Sequence, residues 1–291
     1  MQTSLNVPTT VKEACEWGKY HLHHSELDLS LKQALNETRW ILQKVFSVDA
    51  AYLRLHDDKA LTNQQTLNFN SLLKRRFHGE PLAYILETQY FWTLELQVNK
   101  DTLVPRSETE MLVEKALESY PNDYKAKVID VGTGTGAIAL AIALERPHWE
   151  VTATDISQAA LDVAIANATH YGLNHVTLKK NHWLDGVEPN VFDLVISNPP
   201  YIDDQDDEIA WDVKKYEPSL ALFAGDNGYE ALRTLIRQSA RCLKSSGRIF
   251  LEHGHRQGEL LQQYLAKQGF VGIETFDDFA GKPRVTTGMK T

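Results

Sequence analysis

Lys127-Val128-Ile129-Asp130-Val131-Gly132-Thr133-Gly134-Thr135-Gly136 is the stretch on which the fold turns. Val128, Ile129 and Val131 read as a buried strand, Gly132 to Gly136 as a turn, and the Ala/Ile/Leu-rich run Ala137 to Leu144 as a helix. A strand that passes through a glycine turn into a helix opens a β-α-β unit. Glycines there let the chain bend sharply and let a ligand approach the backbone. Gly132, Gly134 and Gly136 are spaced GxGxG rather than GxGxxG, so no pyrophosphate has to be seated on the helix N-terminus. The loop suits a ligand with an amino-acid moiety, its ammonium near Asp130 and its carboxylate near loop N–H groups.

The alternation continues downstream. Glu150 to Asp155, Val176 to Lys179, Phe192 to Ser197 and Gly247 to Glu252 read as strands, with helices over Gln158 to Tyr171, Gly228 to Leu243 and Gly258 to Gln268. Strand-like pieces finish the chain. This order predicts an α/β fold with a parallel sheet covered on both faces. Asp155 closes the second strand, 19 residues after Gly136. A carboxylate there accepts both hydroxyls of a ribose; the alternative is a cap on the helix beginning near Ser157. Asn181-His182-Trp183-Leu184-Asp185 follows the third strand and suits an adenine ring, with Trp183 either against that ring or in the core.

Asn198-Pro199-Pro200-Tyr201 leaves the carboxyl end of the apolar run Phe192-Asp193-Leu194-Val195-Ile196-Ser197. Ligands of open α/β sheets bind at that edge. Two prolines stiffen the loop and remove two N–H donors, so it offers carbonyls. The Asn198 side-chain oxygen and the Pro199 carbonyl form a two-acceptor clamp for a planar NH₂ group, with the Tyr201 ring as a flat face beside it. Such a device holds an amide or exocyclic amine while a group is transferred to its nitrogen.

The first ~85 residues carry helical spacing, strongest at Leu31, Leu35, Thr38, Ile41, Leu42 and Val45. Alternation begins only at Tyr90-Phe91-Trp92-Thr93-Leu94-Glu95-Leu96-Gln97-Val98, which predicts a hairpin. The net charge of −9 argues against broad binding to duplex DNA or anionic membrane. Cys15 and Cys242 lack metal or disulfide spacing and are expected as thiols in a reducing, cytoplasmic setting. No run approaches the ~18 apolar residues of a membrane span. The acidic run Asp203, Asp204, Asp206, Asp207 and Glu208 reads as a solvated loop and helix start rather than a metal site. His21, His23 and His24 are not read as ligands, and His253 and His255 are left without a role.

Asp130 to Gly136, Asp155 and Asn198-Pro199-Pro200-Tyr201 together resemble the S-adenosylmethionine-dependent methyltransferases that act on amino groups. Gly79-Glu80-Pro81-Leu82-Ala83-Tyr84-Ile85-Leu86, Leu103-Val104-Pro105-Arg106-Ser107-Glu108-Thr109-Glu110 and Tyr216-Glu217-Pro218-Ser219-Leu220-Ala221-Leu222 narrow the resemblance to the peptide-chain release factor glutamine N5-methyltransferases. The resemblance covers nearly the whole chain. It departs at Glu87-Thr88, where that family usually has a glycine.

The resemblance implies a seven-stranded Rossmann-like methyltransferase domain and a small all-helical N-terminal domain, joined by a β-hairpin. The expected boundaries are 1–86 for the helical substrate-binding domain, 87–104 for the hairpin linker and 105–291 for the methyltransferase domain. S-adenosylmethionine is expected to contact Asp130, Gly132, Thr133, Gly134, Gly136, Asp155, Trp183 and Asn198. Asn198, Pro199 and Tyr201 are the expected catalytic residues. With Pro200 and Arg106 they are also expected to bind the substrate, the glutamine of the Gly-Gly-Gln loop of release factors. Glu217 is a candidate anchor for the segment after the catalytic loop. No metal, membrane or direct nucleic-acid substrate is expected. A ribosomal-protein glutamine methyltransferase and a nucleic-acid adenine N6-methyltransferase are the alternatives.

Overall fold

A computed structural model describes residues 8–205 and 209–291 and divides the chain into two compact units. One holds the chain up to Glu87 together with Trp211–Tyr216, and the other Thr88–Ala210 and Glu217–Thr291.

The first unit is helical: Val11–His23, Leu31–Phe46, Ala50–Leu55, Asn63–Phe77 and Leu82–Leu86. Ser30 and Thr62 start the two longest helices with reciprocal side-chain caps to Gln33 and Gln65, satisfying N–H groups that a helix start leaves free. Ala14, Leu22, Ile41, Leu42, Phe69 and Leu73 close the core between them. Trp211–Tyr216 joins this unit through the Trp211 ring, which lies against Gly79, and through the Tyr216 hydroxyl, which donates to the His78 carbonyl at 2.8 Å.

Glu87 ends the helix Leu82–Leu86 in the left-handed region, at φ 64°. The family's usual glycine adopts that conformation without Cβ strain. Lys44 offsets the strain by donating to the Leu86 carbonyl at 2.9 Å and pairing with the Glu87 carboxylate at 2.7 Å. Glu87→Gly is expected to raise stability by about 0.5 kcal/mol, the left-handed relief outweighing an exposed ion pair and some chain entropy. A lower chemical-denaturation midpoint would contradict this.

The second unit is built on nine strands: β1 (Thr88–Phe91), β2 (Leu94–Gln97), β3 (Lys127–Val131), β4 (Glu150–Asp155), β5 (Thr177–Lys180), β6 (Phe192–Ser197), β7 (Leu243–Glu252), β8 (Phe270–Asp277) and β9 (Pro283–Lys290). β1 and β2 form an antiparallel hairpin. The hairpin packs within this unit: Gln97 N–H donates to Asn167 Oδ1 at 2.7 Å and Glu95 N–H to the Tyr171 hydroxyl at 2.6 Å. The other seven strands form one sheet in the order β5-β4-β3-β6-β7-β9-β8.

The sheet is mixed, not wholly parallel. β5, β4, β3, β6 and β7 run parallel, while β9 is antiparallel to both β7 and β8. Residues 278–282 make a tight turn, with Asp278 N–H donating to the Lys282 carbonyl at 2.8 Å. So short a connection joins only antiparallel strands; a parallel crossover needs about a dozen residues.

Alternate residues of β3 and β6 face opposite sides. Val128, Leu194 and Ile196 enter one core with the helix Ala137–Glu145. Ile129, Val131 and Val195 enter another with Leu232, Leu235 and Ile236 of the helix Glu230–Cys242. After β3 the chain builds outward through β4 and β5, then crosses back to place β6 on the other side of β3. Loops leaving β3 and β6 therefore part at their carboxyl ends, and a crevice opens there. No helix among the described residues is long and apolar enough to cross a membrane.

Candidate active site

The crevice is a cavity of about 600 Å³ whose lining includes Gly132, Gly134, Asp155, Trp183, Asn198 and Arg106. It lies within the second unit.

Gly132 and Gly134 have φ of 75° and 54°, and a Cβ on either would meet no protein atom within 4 Å. The glycines are demanded by backbone conformation, and the space beside them is open to a ligand. Loop donors are largely committed inside the fold. The N–H groups of Gly132 and Thr133 both donate to the Thr154 carbonyl, and that of Gly134 donates to Asp155 Oδ2 at 2.9 Å. The expected use of these groups for a ligand carboxylate is not the one this geometry displays.

Asp130 is fully buried behind the loop and does not line the cavity. Burial pushes its carboxyl up to about 7, partly offset by the Thr133 hydroxyl, which donates to Oδ2 at 2.6 Å. Its Oδ1 is buried without a hydrogen-bond partner. Gly136 also stands off the cavity, packed against Leu140 and Ala164.

Asp155 lines the cavity, and the cap of the following helix is Ser157, whose side chain accepts the Ala160 N–H. Asp155 Oδ1 accepts the Ser157 N–H at 2.9 Å, at the start of the helix Gln158–His170, while Oδ2 holds Gly134. Each carboxylate oxygen has a second lone-pair direction for a ligand hydroxyl. Trp183 likewise does two things: it lines the cavity and its ring packs on the core beneath. Gln238 shapes this end, accepting the Leu184 N–H at 2.8 Å and donating to Asp185 Oδ1 at 2.9 Å.

On the opposite wall, Asn198 and Pro200 line the cavity, whereas Pro199 and Tyr201 do not. Pro199 is buried. Tyr201, expected as a flat face, is drawn into the wall. Its hydroxyl donates to Glu252 Oε1 at 3.2 Å, and its carbonyl accepts from Gln257 Nε2 at 3.0 Å. Burial pushes its hydroxyl pKa far above the usual range, as does the neighbouring Glu252 carboxylate. Asn198 Nδ2 donates to Thr109 Oγ1 at 3.1 Å, and the Thr109 hydroxyl donates to Glu252 Oε2 at 2.7 Å.

Arg106 is paired with Glu217, whose side chain is 1% exposed. The other oxygen of Glu217 accepts the Val104 N–H at 3.1 Å. One buried carboxylate thus fixes the loop before Thr109 to the segment after the catalytic loop. Glu217→Ala strands a buried N–H and releases the guanidinium. It is expected to cost about 2 kcal/mol of stability, read from the urea midpoint; a shift too small to resolve would contradict the anchoring.

Thr109 and Glu252 were not singled out from sequence. Glu252 does carry a signal: it ends an apolar strand at the ligand-bearing edge, as Asp155 does. His253 is buried, with Nε2 2.7 Å from Thr286 Oγ1, and burial lowers its pKa. Among the described residues no group of three or more His, Cys, Asp or Glu is placed to hold a metal ion. Asp206, Asp207 and Glu208 of the acidic run lie outside the described residues.

A switch-point crevice with a glycine loop and acidic strand end on one side and Asn-Pro-Pro-Tyr on the other defines a class, the S-adenosylmethionine-dependent methyltransferases. The fold is similar to a methyltransferase from Pyrococcus furiosus at a TM-score of 0.53, 18% identical, over 76% of this chain and 98% of that one. Residues 107–215 match the Methyltransferase small domain family and residues 13–86 the PrmC N-terminal domain. A release factor glutamine methyltransferase from Xylella fastidiosa is 42% identical over 85% of this chain and 90% of its own length. One from Shewanella oneidensis is 38% identical over 96% and 95%, and one from Escherichia coli 38% identical over 85% and 89%. The chain belongs to the release factor glutamine methyltransferase family.

Proposed function

We propose that the protein transfers a methyl group from S-adenosylmethionine to the side-chain amide nitrogen, N5, of the glutamine in the Gly-Gly-Gln motif of peptide chain release factors. The observation that carries the reading is the Asn198 amide. Its NH₂ end is taken by Thr109, so Oδ1 is the end left to accept a hydrogen bond from a substrate amide in the cavity.

The residues present fit the methyl donor. Open space beside Gly132 and Gly134, spare acceptor capacity on Asp155, and Trp183 beside them meet an amino-acid end, a ribose and an adenine in turn. The unpartnered Oδ1 of Asp130 is a further acceptor near the loop. When bound, S-adenosylmethionine supplies a methyl group on a cationic sulfur, an electrophile that needs no further activation.

The protein's task is the nucleophile. An amide nitrogen shares its lone pair with its carbonyl and is poorly reactive. Asn198 Oδ1 accepts a hydrogen bond from one of its N–H groups. The Pro199 carbonyl, which stands behind the cavity wall and is that residue's sole backbone hydrogen-bonding group, is assigned the other, with the surplus proton leaving the nitrogen after methyl transfer. Two acceptors return electron density to the nitrogen and fix its direction, so positioning supplies most of the rate. Tyr201 acts from behind by anchoring the loop to Glu252. Arg106, held by Glu217, is the substrate-side contact. Gripping the release factor away from its glutamine is assigned to the helical unit.

A cytoplasmic location belongs to this reading, which the free Cys15 and Cys242 suit. The net charge of −9 supports a protein rather than a nucleic-acid substrate. Mass spectrometry of release factor after incubation with the protein and S-adenosylmethionine is expected to show one methyl group on that glutamine. Methylation of a ribosomal protein or of DNA, with release factor unmodified, would replace the substrate assignment.

A further inference from the structure

We infer that Glu252, acting through Thr109, decides which end of the Asn198 amide faces the substrate, so that both are positioning residues for methyl transfer. The inference rests on the proposed role of Asn198 and assigns the device that makes the role possible.

A carboxamide has an acceptor end and a donor end of nearly equal size. Turned over, Asn198 would present NH₂ to the NH₂ of a substrate glutamine, and two donors would meet. Something must separate the two orientations in energy. The Thr109 hydroxyl does so, because it has one proton and accepts on its remaining lone pairs. That proton is given to Glu252 Oε2 at 2.7 Å. Toward Asn198, Thr109 can therefore only accept, and it takes Nδ2 at 3.1 Å. Deprived of a carboxylate, the hydroxyl could rotate and donate to Oδ1, consuming the acceptor the substrate needs.

Glu252 is placed for this. It is 1% exposed at the carboxyl end of β7, beside β6, whose end carries Asn198. Its other oxygen accepts the Tyr201 hydroxyl, so one carboxylate governs both ends of the Asn198–Tyr201 turn. A charge-assisted acceptor binds its donors more tightly than a neutral one and holds them in one direction.

The groups around it are Thr109 and Glu108 from the loop before the helix Glu110–Glu118, Tyr201 from the catalytic turn, and Arg284 from β9. Arg284 is shared with Asp278, and His253, which follows Glu252 directly after β7, is kept neutral by burial. Burial lifts the Glu252 carboxyl to about 7, against the pull of Thr109 and Arg284. Below that pH the group carries a proton that it can donate to Thr109, freeing the hydroxyl proton for Oδ1. The ionised form, dominant above about 7, is the one that orients Asn198.

The test compares wild type with Thr109→Val, Thr109→Ser and Glu252→Gln, using release factor and S-adenosylmethionine. Thr109→Val is expected to lower kcat at least tenfold with KM and cofactor Kd within about twofold, and Thr109→Ser to restore it. Wild-type kcat should rise with pH through about 7, and that rise should be absent in Glu252→Gln. A second readout needs no turnover: the side-chain NH₂ resonance of Asn198 should shift in Thr109→Val but not in Thr109→Ser. Thermal melting identifies any variant that is merely unfolded. An unchanged Asn198 resonance, or Thr109→Val and Glu252→Gln at wild-type kcat with the same pH profile, overturns the inference. A wild type that leaves release factor unmethylated refutes the substrate reading instead, and the resonance still judges Thr109.

Discussion

Asn198→Ala is expected to slow methyl transfer to release factor by about a thousandfold, in the range lost when a preorganised partner of a reacting group is deleted. Affinity for S-adenosylmethionine should change by no more than about threefold, because the Gly132–Gly134 loop and Asp155, tied to one another, hold the other side of the cavity. Removing the amide also leaves the Thr109 hydroxyl facing an empty wall, but that hydroxyl keeps its bond to Glu252, so the fold should survive. Asn198→Asp separates the two requirements. It retains an acceptor yet places a negative charge close to the buried Glu252, and it should be nearly as inactive. Single-turnover transfer with cofactor saturating is the measurement. Transfer within tenfold of wild type for Asn198→Ala would remove this side chain from the chemistry.

Asp155→Ala should weaken S-adenosylmethionine binding by about a hundredfold. A charged acceptor contributes about 1.5–3 kcal/mol per hydrogen bond, and each 1.4 kcal/mol is a factor of ten in affinity. Two effects add. The ligand loses its hydroxyl acceptor, and the loop loses the carboxylate that ties Gly134 to Ser157. Asp155→Asn distinguishes them, since its single carbonyl can serve one N–H or the ligand but not all three partners. It is expected between wild type and alanine. Calorimetry with the cofactor alone reads both variants without any protein substrate, and an unaltered Kd in Asp155→Ala would refute the ribose assignment.

The features legible in the sequence are those whose cause is local. The β3 glycine turn, the apolar β6 run and the acidic end of β4 each announce themselves within ten residues, because strand burial and turn conformation are decided there. The mixed edge of the sheet was hidden because a short turn near Asp278 constrains the direction of two strands and says nothing of which third strand they join. The helix Glu110–Glu118 is hard to see in the sequence because its apolar residues Met111, Leu112, Val113 and Ala116 follow directly on the Leu103–Glu110 motif. Tyr201 illustrates a finer limit: its presence in the turn is plain from sequence, but the direction of its hydroxyl is set by Glu252, 51 residues on. Glu217 and Glu252 act on residues 113 and 143 positions away, and such pairings exist only once the topology does.

That remoteness has a consequence for the order in which the working enzyme comes into being. The ribosome delivers the chain from its N-terminus, so the glycine turn, Asp155 and Asn198 all emerge before Glu252. Residues 253–291 then supply Arg284 and the strand β9, which pairs with β7 on one side and β8 on the other. Contacts so distant along the chain form late and slowly. On the proposed roles, a half-made chain would own the face for the methyl donor while lacking the contacts of Glu252 that aim the amide.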